Sequence, residues 1–305
     1  MQLEMETGSM KSEHNINTAQ TRFPSWLKRP IAHSGKQKDV LETIHSSGLH
    51  TVCVEARCPN RSECYNKGTA TFLILGATCT RFCTFCSVNH GTPGPIDPDE
   101  PGKIASAVRD LKLKHVVITS VTRDDLPDGG ASVYADIITL LKKEIPAITV
   151  EVLIPDFQGD NDALFTVFKT KPDIFNHNIE TIPRLYEQIR PQAIYQRSLD
   201  VLKRASEYGL IVKSGIMVGL GEQDDEVFGV MQDLLDHGCS IMTIGQYLRP
   251  SRNQTPVVAY IPPEKFDEYE KKGLELGFKT VFAGPYVRSS YMAEQLLNKT
   301  GSGCC

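Results

Sequence analysis

The stretch Val212-Lys-Ser-Gly-Ile-Met-Val-Gly-Leu220 opens a strand–helix–strand unit that recurs along the chain. Its apolar residues have the length and the Val and Ile content of a buried strand. A helical pattern follows and ends at Gly238, a residue typical of helix C-termini, and a second apolar run begins at Ile241. Two buried strands joined by a helix lie parallel in one sheet, so this stretch predicts a β–α–β unit.

The same alternation extends outward on both sides of this unit. Amphipathic helix patterns separate the apolar runs, and one of them presents Leu199, Leu202 and Ala205 on its apolar side and ends at Gly209. Six alternations at this spacing predict an α/β fold with a parallel sheet, either a barrel or an open doubly wound sheet. The predicted strands are 71–76, 115–121, 148–154, 174–178, 212–220 and 241–248, with a seventh candidate at 279–283.

The composition is that of an ordinary globular protein. The 305 residues are 40% hydrophobic and carry a formal charge of -4, which gives no reason to expect nucleic acid as a partner. No apolar run reaches the ~18–20 residues of a membrane span. Residues 1–22 are polar and aperiodic, lack the apolar segment of a signal peptide and contain three glutamates, so we expect a disordered tail and a cytoplasmic protein.

Three cysteines follow the first predicted strand in the sequence Cys79-Thr-Arg-Phe-Cys83-Thr-Phe-Cys86. Thiolates are soft ligands that suit iron–sulfur clusters or zinc. Structural zinc sites present four ligands, whereas three cysteines leave one iron of a four-iron cluster open to a substrate. The spacing therefore favours a catalytic iron–sulfur cluster, with zinc as the alternative. We call Cys79, Cys83 and Cys86 the rim triad.

Three further cysteines, Cys53, Cys58 and Cys64, precede the first predicted strand. Charged residues interrupt this stretch, which fits a loop better than a hydrophobic core. A chain of this length without a signal peptide rarely clusters its cysteines for disulfides, so a second metal cluster is predicted. The alternative is a set of ordinary buried thiols, which is what we expect for Cys239. We call the three cysteines before the first strand the extension triad.

Polar clusters follow four of the predicted strands, at 122–130, 176–180, 219–222 and 246–248. The carboxyl ends of parallel strands meet at one edge of a sheet or one rim of a barrel, where α/β enzymes bind their substrates. Any one of these clusters could be an ordinary turn or helix cap. Four of them at the same edge as the rim triad predict a binding site.

Together these motifs resemble the lipoyl synthase family of the radical S-adenosylmethionine (SAM) enzymes. The resemblance covers residues 26–292 and is carried by both triads and by the segments 55–60, 123–131, 176–181, 196–199, 217–222, 243–248 and Arg288-Ser-Ser-Tyr291. The sequence departs from the family at Met292, where His is usual, and at Asn253-Gln254, where a His-Leu pair is common. No family role is therefore carried over to those positions.

The resemblance implies an incomplete parallel (β/α)6 TIM-like barrel with cluster-binding extensions at both ends. The N-terminal extension, 23–68, would carry an auxiliary cluster, the partial barrel would span 69–262, and the C-terminal extension, 263–298, would contain the Arg-Ser-Ser-Tyr motif. Residues 1–22 and 299–305 would be flexible tails. The second tail ends in Cys304-Cys305, which is either a lipidation signal or an incidental end.

The implied activity is that of a sulfurtransferase that inserts two sulfur atoms into a protein-bound octanoyl chain, at carbons six and eight. Those C–H bonds are not acidic, so the reaction needs radical chemistry delegated to a cofactor. By resemblance, the rim triad holds a 4Fe–4S cluster whose open iron binds SAM, and each product consumes two SAM. The extension triad and Ser290 would hold an auxiliary 4Fe–4S cluster that is dismantled to supply sulfur. Ser290 has an alternative interpretation as the N-cap of a following helix.

The resemblance also assigns the polar clusters to SAM binding. Glycines would allow the backbone to approach the cofactor closely, and polar side chains would bind its ribose and methionine parts. Arg288 would support the auxiliary cluster or the substrate, whereas His177 should face away from the site because side chains alternate along a strand. The predicted SAM-binding residues are Gly129, Gly130, Asn176, Asn178, Glu180, Gly219, Glu222 and Tyr247.

The implied protein substrates are the octanoylated lipoyl domains of 2-oxoacid dehydrogenase acyltransferase subunits and of glycine cleavage H protein. Ferredoxin or flavodoxin would deliver electrons, an iron–sulfur carrier would rebuild the auxiliary cluster, and neither nucleic acid nor a membrane span is expected. Basic surface near Arg249 and Arg252 would dock the acidic lipoyl domains. The competing interpretations are an enzyme similar to biotin synthase, a two-cluster electron carrier and a structural zinc protein.

Overall fold

The computed structural model describes residues 23–28, 35–66 and 70–290. The chain divides into two compact units, residues 1–30 and residues 31–305. In the first unit the described residues form the 3-10 turn Ser25–Leu27. The predicted tails, residues 1–22 and 299–305, lie outside the described residues, and so does the Cys304-Cys305 end.

The second unit contains the alternating strands and helices. Its helices are α1 Gly35–Ser46, α2 Val52–Glu55, α3 Arg61–Asn66, α4 Glu100–Asp110, α5 Ala131–Glu144, α6 Asn161–Lys169, α7 Tyr186–Ile189, α8 Tyr195–Glu207, α9 Asp224–Asp236 and α10 Pro263–Leu276. Its strands are β1 His50–Thr51, β2 Thr71–Ile74, β3 Thr78–Cys79, β4 Asn89–His90, β5 His115–Ser120, β6 Thr149–Leu153, β7 Ile174–Asn176, β8 Val212–Val218, β9 Ile241–Gln246 and β10 Thr280–Gly284. Short 3-10 turns at Phe157–Gly159 and Pro183–Leu185 complete the set.

The main sheet has the strand order β1-β2-β5-β6-β7-β8-β9-β10. Every neighbouring pair from β2 to β10 is parallel, whereas β1 pairs antiparallel with β2 at one edge. The parallel strands follow each other in space in their chain order, as in a barrel, whereas a doubly wound sheet reverses direction at its middle. Because β1 and β10 are the two ends of this order, the barrel is incomplete, and the predicted fold class is confirmed.

The predicted strands are all present, with small differences at their ends. All residues of β2 and β9 are buried, because helices cover the outside of the sheet and side chains fill its inside. β2 and β8 each end two residues earlier than predicted because the backbone turns into the left-handed region, at Leu75 with a φ of 68° and at Gly219 with a φ of 100°. The loops that contain the rim triad and the polar cluster at 219–222 begin at these turns.

The residues before β2 form a small extension of short elements. Tyr65 in α3 is buried, and its hydroxyl lies 3.0 Å from the hydroxyl of Thr51 at the end of β1, which fixes α3 against the sheet edge. The two-residue strands β1, β3 and β4 were not predicted, because two residues carry no periodic signal. None of the described helices combines the length and the apolar character that crossing a bilayer requires.

Candidate active site

The rim triad lies on the loop that follows β2, and contacts on several sides hold this loop in place. The backbone N–H groups of Arg81 and Thr122 donate to the Cys79 Sγ atom at 3.4 and 3.3 Å. The Thr84 N–H donates to the Ile189 carbonyl at 3.0 Å. On a third side, Gln254 Nε2 donates to the Cys86 carbonyl at 3.1 Å. The loop is therefore fixed to the end of α7 and to the loops that follow β5 and β9.

A buried charge network lies beneath this loop. The Arg81 guanidinium donates to the Asp124 carboxylate through Nε and Nη2, at 2.6 and 2.8 Å, and to Asp156 Oδ1 at 2.6 Å. Arg197 Nε donates to the other Asp156 oxygen at 2.8 Å. The two arginines hold the pKa of Asp156 well below its usual range, although burial opposes this shift. Asp156 therefore stays ionised and anchors the residue between Cys79 and Cys83.

The thiols of the rim triad lie close enough to affect one another. Burial raises the pKa of Cys83, and it raises the pKa of Cys86 to about 12, with the other thiols of the triad adding to both shifts. The Arg190 guanidinium beside Cys83 acts in the opposite direction. Thiols that resist deprotonation individually lose their protons when a metal centre supplies the positive charge. Their half-buried position and the N–H donors at Cys79 therefore fit a thiolate-bound iron–sulfur cluster.

Arg190 is a buried cation beside Cys83 of the rim triad. Its Nη1 atom donates to the carbonyls of Asn178 and Ile179, at 2.9 and 3.2 Å, and to the Tyr186 hydroxyl at 2.7 Å. The guanidinium carbon also lies 5.2 Å from the centre of the Tyr186 ring. The sequence analysis did not select this residue, since a buried arginine before a proline carries no recognisable pattern. It places a fixed positive charge where a cluster would bring negative charge.

The extension triad lies on shorter elements at the edge of the sheet. Cys53 is buried in α2, Cys58 follows that helix, and Cys64 lies in α3. Burial raises the pKa of Cys53 to about 11, and the neighbouring Cys58 thiol adds to the shift. The Ser87 hydroxyl donates to the Glu55 carbonyl at 2.9 Å, which joins this segment to the residue after Cys86. The two triads are therefore adjacent in the fold, although β2 lies between them in sequence.

Residues 286–290 form a segment that contacts both regions, and we call it the strap. Asn60 Nδ2, next to the extension triad, donates to the Tyr286 carbonyl at 2.6 Å. Asn178 Nδ2, at the barrel rim, donates to the Ser289 hydroxyl at 2.6 Å. Between these contacts, a Cβ atom added to Gly245 would lie 2.1 Å from the Val287 carbonyl oxygen, so the strap rests directly on the backbone of β9.

Several predicted SAM-binding residues converge after β7. Asn178 Nδ2 also donates to Glu180 Oε1 at 3.0 Å, so one amide joins the strap to this carboxylate. Burial raises the pKa of Glu180, and Arg190 partly offsets this. Asn176, two residues earlier, donates instead to the buried Glu151 at 3.0 Å. His177, between the two asparagines, is buried with its Nδ1 atom 2.8 Å from the Ile154 carbonyl, in the structural role that was predicted for it.

The remaining predicted SAM-binding residues have structural contacts of their own. A Cβ added to Gly129 would meet the Phe157 ring, and one added to Gly130 would meet Leu75, so protein side chains already occupy the space that these glycines leave. A Cβ added to Gly219 would likewise collide with the Gln246 side-chain amide.

Glu222 and Tyr247 shape the same rim. The Glu222 carboxylate accepts from the Gly219 and Leu220 N–H groups, and the Tyr247 hydroxyl donates to the Thr255 carbonyl at 2.8 Å. These contacts explain the local backbone, and SAM binding by these residues stays a prediction.

Ser290 and Arg288 both lie on the strap and are half-buried. Arg288 Nη1 donates to the neighbouring Val287 carbonyl at 2.6 Å. The helix that Ser290 would cap in its alternative role falls outside the described residues. Among the residues that the structure describes, no three His, Cys, Asp or Glu side chains converge on a point where a single metal ion would bind. A four-iron cluster needs wider spacing between its thiolates than a single ion does.

The comparisons with known proteins agree with this architecture. The Radical SAM superfamily profile matches residues 73–234, which include the end of β2, the rim triad and the main-sheet strands from β5 to β8. The structure of SuiB from Streptococcus suis bound to S-adenosylmethionine resembles this chain with a TM-score of 0.54 at 10% identity, over 71% of this chain and 51% of that one. At that identity the similarity concerns the fold alone. The fold and the profile match define a radical SAM enzyme.

The relatives specify the family more closely. Lipoyl synthase from Rubrobacter xylanophilus is 54% identical over 274 residues, covering 89% of this chain and 85% of the relative. Lipoyl synthase from Geotalea uraniireducens is 53% identical over 277 residues, covering 90% of this chain and 97% of the relative. The chain belongs to the lipoyl synthase family. It is a sulfurtransferase that inserts two sulfur atoms into a protein-bound octanoyl chain at carbons six and eight.

Proposed function

We propose that the two cysteine triads divide the lipoyl synthase reaction between them. Cys79, Cys83 and Cys86 hold a 4Fe–4S cluster that binds SAM, and the extension triad with Ser290 holds an auxiliary 4Fe–4S cluster. When bound, SAM and the first cluster supply the radical that removes hydrogen from an unactivated C–H bond, and the second cluster supplies sulfur. Two SAM are consumed for each product, because each sulfur replaces one hydrogen at a different carbon.

The position of the strap is the observation that supports assigning Ser290 to the auxiliary cluster. The strap is joined to the extension triad through Asn60 and Tyr286, and to the barrel rim through Asn178 and Ser289. Ser290 follows Ser289 directly, so it lies at the rim end of the strap, on the same short segment that bonds to Asn60. A serine oxygen is a harder and weaker ligand for iron than a thiolate, so it suits a cluster that must open during the reaction.

The residues around the rim triad have separable tasks in this proposal. Arg81 and Asp156 hold the loop rigid, so that the three thiolates keep their positions while SAM binds and leaves. Arg190 places positive charge next to Cys83. Asn178 and Glu180 face the segment that carries Ser290 and offer hydrogen bonds to SAM. The glycines at 129, 130, 219 and the residues Glu222 and Tyr247 shape the rim against which the cofactor lies.

The partners follow from the same proposal. The protein substrates are octanoylated lipoyl domains of 2-oxoacid dehydrogenase acyltransferase subunits and glycine cleavage H protein. Ferredoxin or flavodoxin reduces the rim cluster, and an iron–sulfur carrier restores the auxiliary cluster after each product, all within the cytoplasm. An external reductant is needed because each SAM cleavage consumes one electron. An external source of iron and sulfide is needed because each product consumes the auxiliary cluster.

An anaerobic single turnover tests the proposal. Reconstituted enzyme, SAM, dithionite and an octanoyl-lysine peptide are combined, and mass spectrometry counts the sulfur atoms in the peptide. We expect two sulfur atoms in the product and two 5′-deoxyadenosine molecules for each. Cleavage of SAM without any gain of sulfur would reject the assigned substrate and leave the radical SAM class intact.

The role of Ser290 is tested with its neighbour as the matched control. In protein whose rim triad is replaced by alanine, only the extension triad can hold iron. We expect Ser290→Ala to change the Mössbauer spectrum of that cluster and to accelerate its loss of iron, whereas Ser289→Ala leaves four irons per chain. If the Ser290→Ala protein and the protein that retains Ser290 have the same iron content and the same Mössbauer spectrum, Ser290 is not a ligand of the auxiliary cluster.

A further inference from the structure

A lysine and a glutamate form an ion pair inside the barrel, away from both triads. Lys213 Nζ on β8 lies 2.9 Å from Glu151 Oε1 on β6, and both side chains are fully buried. The His115 ring on β5 lies 3.6 Å from the second Glu151 oxygen, with its side chain 4% exposed. Lys213 and His115 hold the pKa of Glu151 well below its usual range against the effect of burial, so Glu151 is ionised.

This pair does not have an evident role in folding. Removing two charges from water costs several kcal/mol for each ion, and apolar residues of similar volume stabilise a core as well or better. The surrounding strands supply such residues, among them Val117, Ile174 and Ile241, which pack together in the same interior. A charged pair at this place therefore calls for an explanation in terms of function.

The pair determines how the amide of Asn176 is oriented. Asn176 Nδ2 donates to Glu151 Oε1 at 3.0 Å, and it shares that oxygen with Lys213. An ionised carboxylate can only accept hydrogen bonds, so the Asn176 amide must direct its NH2 group to Glu151. Its carbonyl oxygen then points away from the pair. That oxygen is buried and has no hydrogen-bond partner among the described residues.

The position of Asn176 connects this orientation to the active site. It is the last residue of β7, and Asn178, two residues further, bonds to Glu180 and to the strap. A buried acceptor without a partner is unfavourable, so a hydrogen-bond donor of an arriving ligand is favoured at this place. SAM carries such donors in its ribose hydroxyls and its ammonium group.

We infer that Lys213 and Glu151 are positioning residues that present the Asn176 carbonyl oxygen as a fixed acceptor for a hydrogen-bond donor of SAM. The inference rests on the proposed function, since it takes SAM as the ligand at this rim. A neutral residue in place of Glu151 would accept from or donate to the amide, and Asn176 would then adopt both orientations. The charge of Glu151 selects one orientation, and the charge of Lys213 keeps Glu151 ionised.

A double-mutant cycle tests the inference through SAM affinity. Glu151→Gln alone would leave the Lys213 ammonium unpaired in the core, so Glu151→Gln and Lys213→Met are introduced together. The variants are this pair, Asn176→Ala, and all three changes combined. Equilibrium dialysis with cluster-loaded protein measures the Kd for SAM, and thermal unfolding confirms that each variant is folded.

We expect Asn176→Ala to weaken SAM binding by about tenfold, and the pair to weaken it several-fold. In the Asn176→Ala background the pair should have no further effect, because it acts only through that amide. An equal weakening by the pair with and without Asn176 would overturn the inference. So would an unchanged Kd after removal of the pair from protein that retains Asn176.

Two further measurements separate this inference from the proposed function and identify the donor. SAM binding that survives alanine at all three rim cysteines would overturn the proposed function. SAM binding that depends on those cysteines but not on Asn176 would overturn the inference alone. If Asn176→Ala weakens the binding of 5′-deoxyadenosine, the donor is a ribose hydroxyl, and if it weakens only methionine binding, the donor is the ammonium. No effect on SAM or on either fragment would contradict the inference.

Discussion

The two cysteine triads are similar in composition but are held in different ways. The rim triad lies on a loop that is bonded to the end of α7 and to the loops after β5 and β9, and it rests on the buried Arg81–Asp156 ion pair. The extension triad is distributed over two short helices, and Asn60 joins it to the strap through a side-chain hydrogen bond to the Tyr286 carbonyl. The rim triad is part of the barrel, whereas the extension triad is attached to its edge.

This difference corresponds to the different tasks proposed for the two clusters. A cluster that must bind and reduce SAM repeatedly needs ligands that keep their positions, since small displacements of a catalytic group are costly. A cluster that is dismantled and rebuilt needs ligands that can separate. The extension triad lies on two short helices at the edge of the sheet, so this segment can open locally without unfolding the barrel strands.

The largest expected effect concerns the support of the rim triad. Arg81→Met leaves the Asp124 and Asp156 carboxylates without their shared partner, in a place where the Arg81 side chain is 5% exposed. Breaking a buried ion pair costs about 3–5 kcal/mol, and thermal or urea unfolding of the metal-free protein measures the loss.

The control for that loss is a second arginine ion pair on the surface. Arg109 pairs with Glu144, and its side chain is 50% exposed, so Arg109→Met should change the free energy of unfolding by less than about 1 kcal/mol. Similar losses in the two variants would show that the Arg81 network does not anchor the loop.

The next effect concerns the pH dependence of stability at His177, a buried residue whose charge would act on Asp156 beneath the rim triad. Burial, reinforced by Arg190 and Arg81 and opposed by Asp156, lowers the pKa of His177 from 6.5 to about 4. The unfolded chain therefore takes up the proton first. The stability from neutral His177 is complete above about pH 6.5, is lost as the pH falls towards 4, and amounts to about 3 kcal/mol.

His177→Asn tests this pH dependence, because the amide keeps a donor for the Ile154 carbonyl but does not titrate. The free energy of unfolding of the variant should fall less steeply between pH 6.5 and pH 4 than that of the unaltered protein. Identical slopes would contradict the role of His177 and leave other groups as the source of the pH dependence.

The strap offers a way to disturb the extension triad without touching a cysteine. An alanine at Gly245 would place its Cβ 2.1 Å from the Val287 carbonyl oxygen, so the strap must move away from β9. We expect Gly245→Ala to lower sulfur insertion by about a hundredfold, while SAM cleavage continues. Single-turnover assays that count inserted sulfur atoms and 5′-deoxyadenosine measure the ratio of sulfur insertion to SAM cleavage.

Gly229 provides the control, since it lies in α9 and a Cβ there would meet no atom within 4 Å. Gly229→Ala should leave the ratio of the two products unchanged and stabilise the helix by up to about 1 kcal/mol. If Gly245→Ala lowered SAM cleavage and sulfur insertion equally, the strap would not be specific to the extension triad.

The smallest effect concerns substrate docking outside both triads. Arg249 donates to the Gln254 carbonyl at 2.7 Å and also to the Arg252 carbonyl, so its guanidinium supports the loop. Arg252 is exposed. We expect Arg252→Ala to raise the KM for an acidic lipoyl domain a few-fold at low salt, with kcat unchanged and the difference lost at high salt. A KM that is independent of salt would contradict docking through this surface.

The fold could be predicted because its signal is repeated. Each apolar run from 71 to 283 is long enough to show its type, and the helices between the runs determine that the strands are parallel. The sequence could not distinguish a barrel from a doubly wound sheet, since both share this alternation, and the family resemblance was needed. The two-residue strands β1, β3 and β4 carry no periodicity and were missed.

The parts of the candidate site that residue type and spacing alone indicate, such as the two cysteine triads, could be predicted from the sequence. The buried arginines Arg81 and Arg190 were not predicted as site residues, because their roles depend on contacts with Asp156 and Asn178 that are distant in sequence. The ion pair of Glu151 and Lys213 was missed for a related reason: charged residues inside a predicted strand resemble positions at its exposed edge. The packing of Gly129 and Gly130 against protein side chains also required coordinates.

The central claim is that the rim triad activates SAM and the extension triad provides sulfur. Cys83→Ala and Cys53→Ala are compared in an anaerobic single turnover, with Cys239→Ala, a buried cysteine outside both triads, as the control. The account predicts that Cys83→Ala yields neither 5′-deoxyadenosine nor sulfur insertion, that Cys53→Ala yields 5′-deoxyadenosine but no sulfur insertion, and that Cys239→Ala yields both. Sulfur insertion by Cys53→Ala, or SAM cleavage by Cys83→Ala, would contradict it.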